Sequence, residues 1–123
     1  MHKILVIDDD AFVRETIIQI LEDEGYQVIT AEDGQRGLAA FRRERPDLVI
    51  TDIIMPEKEG IQTIMEIRGE RPDAKIIAIS GGGRIGHTDF LQAARNLGAA
   101  DIIAKPFDPD DFLSRVGTCL AAC

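Results

Sequence analysis

Two apolar runs in this chain stop on acids. Leu48 to Pro56 reads Leu-Val-Ile-Thr-Asp-Ile-Ile-Met-Pro, with the single carboxylate of Asp52 closing the run, and Lys3 to Ile7 leads straight into Asp8 and Asp9. A short β-branched run that ends at a charge reads as a buried strand delivering its acid at the C-terminal edge. Two further runs end on other chemistry: Lys75 to Ile79 on Ser80, and Asp101 to Ala104 on Lys105. If these strands are parallel neighbours, all of these groups meet at one edge of a sheet, where open α/β sheets bind their ligands. Three carboxylates in one crevice repel one another unless they are protonated or bridged by a cation. Few hard oxygen ligands, with positions left for water and phosphate, suit Mg2+ better than an all-protein Ca2+ cage. A carboxylate flanked by such an ion is a nucleophile toward phosphorus, and Lys105 and the Ser80 hydroxyl complete a set able to position and neutralise a phosphoryl group. The expected product is an aspartyl phosphate on Asp52.

The elements that must hold these groups alternate. Strand-like runs and helical periodicity follow one another five times without a linker or a repeat, which predicts an α/β protein with parallel strands and right-handed crossovers. After the first strand, Asp10 caps a helix whose stripe is Val13, Ile17, Ile20 and Leu21, closed by Gly25. Tyr26 to Ala31 is the second strand, and Asp33-Gly34 opens a helix to about Arg43 with Leu38 and Phe41 inward. Beyond Asp52, the loop Met55 to Gly60 leads into a helix with Ile61, Ile64 and Met65 on one side, ended by Gly69 and Pro72. The three glycines Gly81 to Gly83 make a loop of little steric restriction. A helix over Thr88 to Leu97 uses Phe90, Ala94 and Leu97. In the last helix Asp108 is the N-cap, Pro109 and Asp111 suit the first turn, and Phe112, Leu113, Val116 and Leu120 face inward.

The totals narrow the function. At 123 residues the chain matches one domain, with no room for an output domain after the last helix. A net charge of −8 argues against nucleic acid as a partner, because phosphate contact needs clustered Lys and Arg. No apolar run approaches the ~20 residues of a membrane span, and the N-terminus enters a strand without signal-peptide architecture, so the expected location is the cytoplasm. Cys119 and Cys123 lie four apart; two reduced thiols are expected there rather than a zinc site or a disulfide, with His2 and His87 far away in sequence.

Each group alone has a plainer reading. Asp8-Asp9-Asp10 could be an acidic helix cap, Asp52 a strand-end residue, Lys105 a solvated lysine and Ser80 a turn hydroxyl. Their joint placement on successive strand ends is what points to a site. At this point the chain resembles the receiver domain of two-component response regulators, similar to the stand-alone chemotaxis type. The pieces that carry the resemblance are Ile4-Leu5-Val6-Ile7-Asp8-Asp9-Asp10, Asp52-Ile53-Ile54-Met55-Pro56 with Gly60, Ser80, and Lys105-Pro106-Phe107, in the family's order and over nearly the whole chain.

The resemblance implies a flavodoxin-like, doubly wound, five-stranded sheet in order 2-1-3-4-5 with five helices. It further implies that Asp52 is the phosphoacceptor, that Asp9 and Asp52 ligate Mg2+ directly with Asp8 acting through water, and that the Ile54 carbonyl is another ligand. Backbone amides of Ile53, Ile54 and Gly81 would meet phosphoryl oxygens beside Ser80 and Lys105, and the Lys105-Pro106 bond would be cis. The implied partners are a sensor histidine kinase or histidine phosphotransfer protein and a downstream protein target, with the chain a monomer or a weak phosphorylation-dependent dimer. The first helix is the implied kinase contact, and the surface of the helix over 88–97, the fifth strand and the last helix the implied output face. One departure matters: three residues before Lys105 the family usually has an aromatic that changes rotamer, and here stands Ile102. A branched aliphatic cannot swing a ring, so any switch must rely more on Ser80 and the Gly81 to Gly83 loop. A phosphate-independent adaptor and an Mg2+-dependent phosphohydrolase are the competing functions.

Overall fold

Continuous β-branched runs can be satisfied only where both faces of a strand are covered, and that requirement dictates the layering. The computed structural model describes residues 2–53, 60–80, 96, 98–104 and 107–121, leaving aside the side chains of 61, 80 and 104. In chain order the elements are β1 (Lys3–Ile7), α1 (Ala11–Asp23), β2 (Gln27–Ala31), α2 (Gly34–Glu44), β3 (Leu48–Asp52), α3 (Gly60–Glu70), β4 (Ile76–Ser80), β5 (Asp101–Ala104) and α4 (Pro109–Ala121). The five strands form one sheet in the order β2-β1-β3-β4-β5, every neighbouring pair parallel. Four helices are present among the described residues. The helix expected over Thr88 to Leu97 lies outside them, apart from Asn96, which is helical.

Alternate residues of each strand feed two cores. Leu5, Ile7 and Val49 face α2 and α3 through Leu38, Phe41, Ile64 and Ile67. On the opposite face Ile4, Val6, Ile50 and Ile77 pack against Ile17 and Leu21 of α1 and Phe112 and Val116 of α4. The central strands β1 and β3 are therefore buried on both sides, whereas β2, at the edge, is only partly covered. Helix ends follow local chemistry. Asp33 Oδ1 accepts from Arg36 N at 2.7 Å, Asp108 Oδ2 accepts from Asp111 N at 3.0 Å, and Gly25 follows α1 at φ 88°, where a side chain would be strained. Between α2 and α3, Arg42 Nε donates to Glu70 Oε2 at 2.9 Å, and this bond holds the Glu70 carboxyl below the usual carboxylate range. No helix among the described residues is long and apolar enough to cross a membrane.

Three details differ from the sequence reading. Met65, expected inward, is 54% exposed; the buried face of α3 is Thr63, Ile64 and Ile67, and Met65 lies about 100° round the helix from Ile64. Gly69 does not end α3, which continues to Glu70, with Arg71 N still bonded to Ile67 O at 2.8 Å. Cys119 was not placed in the core, yet it is buried beside Phe112 and Val116 as a free thiol, and burial pushes its ionisation up.

Gly60 shows how closely α3 sits on the end of β3. Its N–H donates to Ile53 O at 2.6 Å, and a Cβ there would lie 2.5 Å from Ile53 Cα and nearer still to the Asp52 carbonyl oxygen. Backbone cannot rotate away as a side chain can. Gly60→Ala is expected to cost about 1–3 kcal/mol in urea unfolding. Gly117→Ala, in the middle of α4 where the added carbon meets no described atom within 4 Å beyond its chain neighbours and its own helix's backbone, is expected to gain about 0.5–1 kcal/mol. Equal effects at the two positions would contradict the packing.

Candidate functional site

Register brings the acids together. β1 and β3 pair with Ile7 level with Thr51, so the next residues along, Asp8 and Asp52, leave the sheet side by side. On the other flank of β3, Asp52 is level with Ile79, and Ser80 with Ala104. The backbone ends of β1, β3, β4 and β5 thus share one edge, as the strand-end reading required. One carboxylate oxygen from each of Asp8, Asp9 and Asp52 can be chosen so that all lie within 4.8 Å of one another.

Burial divides their roles. Asp8 is 1% and Asp52 6% accessible, while Asp9 is exposed. Each of the two buried acids sits at the end of a strand covered on both faces. Hydrogen bonds fix the connecting backbone. Asp8 Oδ1 accepts from Asp10 N at 2.9 Å, and Asp8 N donates to Ala31 O at 3.1 Å. Asp10 in turn caps α1, its Oδ1 accepting from Phe12 N at 2.9 Å and Val13 N at 3.3 Å. Beyond Asp52, Ile53 N donates to Ile79 O at 3.0 Å, and the Thr51 hydroxyl donates to Asp52 O at 3.0 Å. The Ile53 amide is therefore committed to the ladder, and a phosphoryl contact there would require that bond to open.

Sequence reasoning missed Arg14. Its Nη1 donates to Asp8 O at 2.7 Å, tying the first turn of α1 to the peptide between the two N-terminal acids. The available signal was its position four residues beyond the Asp10 cap, one turn into the helix. Of the other expected site residues, Ser80 is placed by its backbone at the end of β4, while Ile54, Gly81 and Lys105 lie outside the described residues. Ile102 is half-buried against the core shared with α2 and α3.

Hard carboxylate oxygens, few in number and partly open to solvent, fit a small divalent cation such as Mg2+ better than a soft metal. The fold and this acidic edge define a class, and comparison with known proteins gives its name. The model of the response regulator receiver domain matches residues 4–117. This chain belongs to that family: it is a CheY-like receiver domain of two-component signalling. It is 38% identical over 120 residues to the chemotaxis protein CheY of Bacillus subtilis, covering 97% of this chain and 98% of that one. It is equally similar, 38% over 119 residues, to the ycf27 protein of Porphyridium aerugineum, but spans only 48% of that relative's length. Among solved structures, the receiver domain of NtrX from Brucella abortus superposes with a TM-score of 0.91 at 33% identity, covering 98% of this chain and 99% of that one. A CheY-like receiver domain from Methanospirillum hungatei gives a TM-score of 0.88, also at 33% identity, covering 98% and 94%.

The cap at Asp10 supports both α1 and the acid before it. Asp10→Ala is expected to lower stability by about 1 kcal/mol, read as a shift of the urea midpoint. An unchanged midpoint would mean that the two amides at the start of α1 find water as readily as they find the carboxylate.

Proposed function

We propose that the chain is a phosphoacceptor switch in which Asp52 takes a phosphoryl group from the phosphohistidine of a sensor kinase or histidine phosphotransfer protein. The observation that supports it above all others is the convergence of Asp8, Asp9 and Asp52 at the carboxyl edge of the sheet. Asp9 and Asp52 directly, Asp8 through water and, by its match to the family motif, the Ile54 carbonyl are the groups that would hold Mg2+. When bound, the ion supplies charge neutralisation between the acids and the incoming phosphate. An Asp52 oxygen attacks phosphorus, the phosphorus–nitrogen bond to the donor imidazole breaks, and the imidazole nitrogen leaves with the electron pair. Lys105, the Ser80 hydroxyl and the Gly81 amide are assigned to the phosphoryl oxygens by their match to the family motif. The Ile53 and Ile54 amides are assigned there in the same way; the Ile53 amide, which donates to Ile79 O in this structure, would exchange that bond for the phosphoryl group.

The chain would catalyse only its own phosphorylation and dephosphorylation. New negative charge on Asp52 draws Ser80 inward, reorders Gly81 to Gly83 and shifts a fifth helix over 88–97, biasing a two-state equilibrium read by a downstream protein. Ile102, a half-buried aliphatic, leaves this shift without a ring to carry it. Phe12, 77% exposed in the first turn of α1 next to the acids, suits docking of the phosphodonor protein. The domain is assigned to residues 1–123 and to the cytoplasm, where such kinases present their phosphohistidine.

Incubation with acetyl phosphate and Mg2+, followed by intact-mass measurement, tests the reading. The expected result is the gain of one phosphoryl group, lost in Asp52→Asn and lost when the metal is chelated. Failure to modify the folded protein would favour a phosphate-independent adaptor. Fast multiple turnover of the donor without accumulation would favour a phosphohydrolase.

A further inference from the structure

Of the three acids that would hold the metal, Asp9 is placed differently. Asp8 and Asp52 are buried, whereas Asp9 is exposed and no group among the described residues bonds its carboxylate. Its aim therefore depends on its backbone. That backbone begins at the Asp8–Asp9 peptide, whose carbonyl, Asp8 O, accepts from Arg14 Nη1 at 2.7 Å. Asp8 N donates to Ala31 O at 3.1 Å and Asp8 Oδ1 accepts from Asp10 N at 2.9 Å, so the bond from Arg14 sets the tilt of the peptide plane between these two anchors. Arg14 is itself held. It is half-buried, its own N–H donates to Asp10 O at 2.9 Å, and it shares a cleft with Thr30, Ala31 and Ala40. A planar guanidinium seated in this way loses little further freedom in making the bond.

We infer that Arg14 is a positioning residue that makes this centre select Mg2+ over Ca2+. The inference rests on the proposed metal centre and gives Arg14 no contact with ion or phosphate. Oxygen atoms on opposite sides of Mg2+ stand about 4.2 Å apart and those around Ca2+ about 5 Å, so a set of three within 4.8 Å reaches either ion. Size alone does not decide between them. Mg2+ demands near-octahedral geometry from few ligands, while Ca2+ accepts longer bonds, more ligands and irregular angles. A peptide plane that cannot tilt limits how far the Asp9 oxygen can back away, which favours the smaller ion; a plane free to tilt lets the site open for Ca2+. Charge works differently. The Arg14 guanidinium repels both divalent ions alike, as do Arg36 and Arg43 in the same cleft, and Glu32 there attracts both alike. The ratio of the two affinities therefore separates position from charge.

The experiment is titration of the full chain with magnesium chloride and, separately, calcium chloride at constant ionic strength, followed through the amide signals of Asp9, Asp10 and Ile53. In the parent, Mg2+ should bind more tightly. Arg14→Gln, uncharged and too short to reach the Asp8 carbonyl, should reduce the ratio of Mg2+ to Ca2+ affinity by about tenfold. Arg14→Lys, which keeps the charge and one donor, should reduce it by only about threefold, and it decides the matter alone if urea unfolding shows the Gln variant unfolded. Equal changes in both affinities would make Arg14 a charge only, and no change in either would make it a structural brace. Each of these overturns the assignment, as does a parent that prefers Ca2+ or binds neither ion. Phosphorylation is read separately. A parent with the expected ratios that gains no phosphoryl group from acetyl phosphate contradicts the phosphoacceptor reading and leaves Arg14 its role, whereas a phosphorylated parent with ratios unchanged in both variants does the reverse.

Discussion

The parallel pairing of β1 with β3 is the constraint on which the rest depends. It places the buried carboxylates of Asp8 and Asp52 next to each other at the ends of two covered strands. Apolar burial makes this tolerable: Ile4 to Ile7 and Leu48 to Ile50 are essentially inaccessible, and covering those side chains drives folding regardless of what the strand ends carry. The same register that serves the core therefore also gathers the acids at one edge of the sheet.

Around this centre the chain keeps its braces in backbone and short side chains. Gly60 brings the start of α3 against the Asp52 carbonyl, Asp10 starts α1 two residues beyond Asp8, and Arg14 reaches back to the Asp8 carbonyl. None of these needs to touch a phosphoryl group to matter. A shift of any of them would move the acids relative to one another, and electrostatic stabilisation of a transferring phosphoryl group depends on such preorganisation.

The central strands and their acidic ends were legible because both-face burial leaves an unbroken apolar run, a signal that needs no knowledge of neighbours. The strand order was legible only through the resemblance to receiver domains, since alternation of elements implies parallel pairing but not which strand lies beside which. Local caps at Asp10, Asp33 and Asp108 were legible for the same reason as the strands: the chemistry lies within three residues. Met65 was misread because Ile61, Ile64 and Met65 all fit a loosely drawn apolar side, and only packing on β3 and β4 distinguishes Ile64 and Ile67 from their neighbour. Cys119 was weighed as a metal ligand or thiol, and its helical phase with Phe112 and Val116 was the overlooked signal. The tertiary reason for Gly60 depends on a contact with the end of β3, whereas Arg14 reaches only six residues back and its helical position was an overlooked signal.

The central claim is that Asp8, Asp9 and Asp52 form one divalent-cation centre, and line broadening by substoichiometric Mn2+ tests it most directly. The account predicts selective loss of the amide signals of residues 8 to 10 and of Asp52 and Ile53, reversed by excess Mg2+ and absent in Asp52→Asn. Broadening centred instead on the acids at the start of α4, Asp108, Asp110 and Asp111, or spread evenly over the acidic surface, would contradict it.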